Sequence, residues 1–172
     1  MESVLRELER AGAALRREEP LSAHTSFRIG GPVRAMVFPR GEAELIQAAR
    51  ILRDAEIVPL LVGNGSNLLA ADGPIDKIAI KTHAGMADVR RTEGETIYAA
   101  AGALLSRAAV FARAQGLGGL AFAHGIPGTL GGAVVMNAGA YGGDGTHLAA
   151  ELFFYVVVNM ARDNGFFGDA RP

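Results

Sequence analysis

Val4, Leu5, Leu8, Ala11 and Leu15 recur at helical spacing between arginines and glutamates. This pattern predicts an amphipathic first helix, ended by Pro20. Residues 21–32 are turn-rich, with Gly30-Gly31-Pro32 as punctuation. The apolar run 33–38 then predicts a strand. Residues 42–55 predict a helix with Leu45, Ala49 and Leu52 on one face, and 57–62 predict a buried strand. Strand, helix and strand over about 30 residues is the size of a βαβ unit, with a right-handed crossover expected. Further along, Ile78 and Ile80 alternate within a strand at 77–81. Residues 83–92 are weakly patterned. Residues 96–101 predict a strand ending at Gly102, and 104–115 a helix closed by Gly116. A soft change of composition at 82–88 divides the chain into two small α/β lobes, 1–85 and 86–172.

Against this periodic background, residues 125–143 stand apart. They read GIPGTLGGAVVMNAGAYGG and hold seven of the chain's 23 glycines. Such density allows positive φ and close approach of a ligand to the main chain, and successive free N–H groups in such turns form anion-binding concavities. A second segment, Gly63-Asn64-Gly65-Ser66-Asn67-Leu68-Leu69, has the same character and follows the apolar run 57–62. It stands at the carboxyl end of a strand, where open α/β sheets place ligands. Two such loops point to a nucleotide carrying a pyrophosphate.

Each loop has two readings. The first lacks the third glycine of a dinucleotide fingerprint and the Gly-Lys-Ser/Thr of a phosphate-binding P-loop. It is either a phosphate cradle built from the amides of residues 64–67 with the Ser66 and Asn67 side chains, or a plain turn capped by one of those side chains. The second is either a ligand wall, with Asn137 and Tyr141 as its polar groups, or a tight structural corner. Arg28 reads equally as a phosphate contact or a surface arginine. The four histidines, His24, His83, His124 and His147, form no metal-ligand pair, and only His124 adjoins a glycine loop.

Composition narrows the classes. The chain is 49% hydrophobic with a net charge of −1, which gives no electrostatic case for nucleic acid. It has no cysteine, so disulfides, thiolate metal sites and a cysteine nucleophile are excluded within it. The charged N-terminus lacks the apolar core of a signal peptide, and the strongest apolar run, 152–158, is too short to span a bilayer as a helix. The expectation is a soluble cytoplasmic protein.

Three segments in order carry a resemblance: residues 24–32 (HTSFRIGGP), 63–69 (GNGSNLL) and the 125–143 run. Together they resemble the UDP-N-acetylenolpyruvoylglucosamine reductases (UDP-N-acetylmuramate dehydrogenases), and the similarity spans about residues 20–143. The resemblance implies a two-lobed α/β (α+β) FAD-binding domain of the vanillyl-alcohol-oxidase type. FAD would be bound non-covalently between the lobes, with NADPH as reductant. It implies reduction of UDP-N-acetylglucosamine enolpyruvate to UDP-N-acetylmuramate, a step of peptidoglycan precursor synthesis. The implied cofactor residues are Gly63, Asn64, Gly65, Ser66, Asn67, Leu68, Gly102, Ile126, Pro127, Gly128, Thr129, Gly131, Gly132, Ala133, Asn137, Gly139, Ala140 and Tyr141. Family members continue into a substrate domain with a proton donor and a late glutamate. No counterpart is recognisable here, and the tail diverges from about residue 144. The chain therefore reads as the flavin half, with its catalytic residues unassigned. The alternative is a non-catalytic flavin- or nucleotide-binding module.

Overall fold

The structure, a computed structural model, describes residues 1–82 and 84–139. His83, Ala140, Tyr141, His147 and the tail from 144 lie outside the described residues.

The first helix, α1 (Glu2–Arg10), buries Val4, Leu5 and Leu8. It is shorter than its pattern predicts. Gly12 turns the chain at φ +80, and residues Leu15–Pro20 form a strand, β1, instead of a further helical turn. β1 is charged because it is an edge. It pairs antiparallel with β2 (Pro32–Val37) on one side only, and exposed charge along an edge discourages pairing with other chains. Its Arg17 reaches back to Glu2 and Glu9 of α1.

α2 (Glu42–Asp54) follows and turns Leu45, Ala48, Ala49 and Leu52 inward. β3 is only Leu60–Val62, shorter than the apolar run predicts. β4 (Ile75–Lys81) lies between β2 and β3 and pairs parallel with both, so the sheet order is β1-β2-β4-β3. The expected βαβ unit is therefore split: its two strands are parallel but not neighbours. β5 (Val89–Arg91) and β6 (Ile97–Ala99) form a separate antiparallel pair. α3 (Leu105–Ala114) and the short α4 (Leu130–Val135) complete the α-helices and strands among the described residues.

The largest apolar cluster joins α1, α2 and the sheet to Met86, Ala100 and Ala101, so residues on both sides of position 85 share one core. A second cluster packs Leu21, Val33, Met36, Val62 and Ala79. A third, with Leu105, Ala109, Phe122, Ala123 and Ala133, seats α3 against α4. Each fully buried Leu, Ile or Val stabilises the fold by about 1.5–3 kcal/mol. Among the described residues no helix is long and apolar enough to cross a membrane.

Candidate functional site

The first glycine loop leaves the sheet where β3 ends. Register places Val62 opposite Lys81, and the Thr82 N–H donates to the Val62 carbonyl (3.0 Å). Gly63 thus begins the loop beside Thr82. Gly65 has φ +67, and a Cβ there would overlap the His24 carbonyl oxygen. The Gly65 carbonyl accepts from the Ser26 N–H (3.1 Å), so the segment after β1 is strapped against the loop. The consecutive amides of Asn64, Gly65, Ser66 and Asn67 donate to no backbone acceptor among the described residues. Four unengaged donors in one turn are the elements of an anion-binding nest.

The second glycine loop is held by α3 and by the segment after β6. The Leu105 N–H donates to the Gly128 carbonyl (3.0 Å), that of Leu130 to Ala103 (2.7 Å) and that of Gly131 to Ala101 (2.9 Å). Thr129 caps α4, its hydroxyl accepting from the Gly132 N–H (3.3 Å). The loops touch each other. The Ser66 hydroxyl donates to the Pro127 carbonyl (2.9 Å). A Cβ on Gly63 would come within 2.5 Å of Thr129 Oγ1 and 3.3 Å of Gly132 Cα. The Thr129 side chain, with the Gly132 main chain behind it, leaves no room for a side chain at residue 63.

Between the loops lies a cleft of about 350 Å³, within the range of small-molecule sites. Gly63, Asn64, Gly65, Ser66, Asn67 and Leu68 line it from one side, and Ile126, Pro127, Gly128, Thr129, Gly131, Gly132 and Ala133 from the other. Gly102, Asn137 and Gly139 are not among its lining residues; their neighbours Ala101, Met136 and Ala138 are. Arg28 and His124 are exposed and outside the lining. Sequence reasoning missed Leu45, Leu61 and Thr82, which also face the cleft. Leu61 and Thr82 are placed there by the pairing of β3 with β4 and Leu45 by the packing of α2, neither of which a local pattern contains.

No titratable side chain lines the cleft among the described residues. The nearby charge is Lys81, whose ammonium donates to the Gly63 carbonyl. Burial pushes that amine below its ordinary range, because desolvation disfavours the charged form. The Thr82 hydroxyl is buried with no hydrogen-bond partner among the described residues.

Residues 33–161 match a family described as FAD binding domain. Among curated proteins, the UDP-N-acetylenolpyruvoylglucosamine reductase of Desulforamulus reducens is 48% identical over 125 residues, covering 73% of this chain and 41% of that protein. The reductase of the same name from Rubrobacter xylanophilus is 41% identical, covering 80% of this chain and 46% of its own length. Among solved structures, UDP-N-acetylenolpyruvylglucosamine reductase (MurB) from Thermus caldophilus superposes with a TM-score of 0.60 at 30% identity, over 78% of this chain and 46% of that one. The chain spans less than half the length of these relatives.

Proposed function

The chain belongs to the FAD binding domain family, and from that premise we propose that it is the FAD-holding portion of an NADPH-dependent UDP-N-acetylenolpyruvoylglucosamine reductase. The whole enzyme would reduce UDP-N-acetylglucosamine enolpyruvate to UDP-N-acetylmuramate in peptidoglycan precursor synthesis, in the cytoplasm. The observation that carries the reading is the meeting of two glycine loops, distant in sequence, around one cleft.

The residues fit the cofactor. Among the described residues, the amides of residues 64–67 donate to no backbone acceptor, and no carboxylate lines the cleft to repel an anion. In this reading, residues 64–67 hold the diphosphate non-covalently. The stretch 126–138 lines the adenosine and isoalloxazine side, and the two lobes divide at about residue 85. FAD, when bound, supplies the hydride chemistry. What the chain does is bind, orient and keep water out. A proton for the substrate carbon needs a positioned acid, and the cleft has none among the described residues.

That last observation favours a second reading, a flavin-binding module without catalysis of its own. A chimera separates the two: this chain joined to the remainder of the D. reducens relative. The proposal expects FAD retention and turnover that requires both NADPH and the enolpyruvyl UDP-sugar. A folded, yellow chimera without turnover would leave only the binding module.

A further inference from the structure

We propose that the Thr82 hydroxyl is a direct hydrogen-bond donor to the cofactor's diphosphate, a side-chain partner to the amides of residues 64–67. The inference rests on the reading of this cleft as an FAD site and deepens it. Thr82 is only 9% exposed, lines the cleft, and its Oγ1 is buried without a partner among the described residues. Its N–H is already committed to the Val62 carbonyl, so the hydroxyl is the residue's uncommitted donor. Valine would fill the same space in the strand-like backbone without the penalty of an unpaired buried hydroxyl. The position beside Gly63 is where the unengaged amides begin. The neighbouring Lys81 sends its ammonium to the Gly63 carbonyl, and no acidic side chain lines the cleft among the described residues, so this corner favours an anion.

The test uses the full chain with T82V and T82S, titrated with FAD and with ADP as the diphosphate probe. T82V should weaken both ligands by about tenfold or more, equivalent to about 1.4 kcal/mol, while T82S stays near the parent chain. The ligand-free T82V protein should melt at the same temperature as the parent or higher, because it loses an unpaired buried group. That opposition of signs is what a merely structural threonine would not produce. FAD binding by T82V equal to the parent overturns the inference alone. So does a lower ligand-free melting temperature with binding lost in both variants. Weakening of FAD but not ADP overturns the assignment to the diphosphate. Failure of the parent chain to bind FAD overturns the FAD reading itself, and this inference with it.

Discussion

At Gly65 the backbone is left-handed, and a methyl group would overlap the His24 carbonyl oxygen. The positive φ alone costs an L-residue about 1–2 kcal/mol, and the obstacle is main chain, which cannot swing aside. Gly65→Ala is therefore expected to lower the melting temperature and to abolish FAD retention, both read on the purified protein. Unchanged FAD affinity would show that the loop is not shaped for the cofactor. Ser66→Ala is milder. It removes the bond to the Pro127 carbonyl, a net loss of about 0.5–1.5 kcal/mol, and lets the two loops separate. We expect it to raise the FAD dissociation rate in stopped-flow more than it lowers thermal stability. The glycines were legible in the sequence because their density has few other uses. Thr82 was not, since its importance comes from standing beside Gly63 across the β3–β4 register.

At the scale of elements, β1 was hidden by its charge. Arg16, Arg17, Glu18 and Glu19 fall within the helix that the pattern carries on to Pro20, but Gly12 turns the chain and the edge of the sheet takes them. Likewise, helix α2 and the strands around it were legible from their apolar spacing, whereas insertion of β4 between β2 and β3 was not. Strand order is decided by long-range pairing, which leaves no mark on periodicity.

The end of β1 also tethers the strap. Glu19 accepts from Arg16 (3.1 Å) and lies 2.8 Å from His24 Nε2. Burial raises the Glu19 carboxyl, but the hydrogen bonds from His24 and Arg16 outweigh it and hold the group below its ordinary value near 4.5. A carboxylate depressed in the folded state contributes stability above that ordinary value, and loses it as pH falls through the lower, folded one. Glu19→Gln should therefore destabilise the chain at neutral pH, and the gap from the parent should close in acid. Denaturant melts across that range check this, and a gap independent of pH would contradict it.

At the scale of the molecule, the cleft joins two segments that contact each other across 61 residues of sequence. A ligand held by both loops couples the β3–β4 end of the sheet to α3 and α4. Binding to the folded state alone stabilises by about 2.7 kcal/mol when the ligand is at a hundred times its dissociation constant, so the melting temperature should rise steadily with FAD. The central claim is that this cleft holds FAD. The most direct measurement is the visible spectrum of the purified chain after incubation with FAD and desalting. A flavin spectrum at one FAD per chain, lost in Gly65→Ala, is the predicted result. A folded but colourless protein would contradict it.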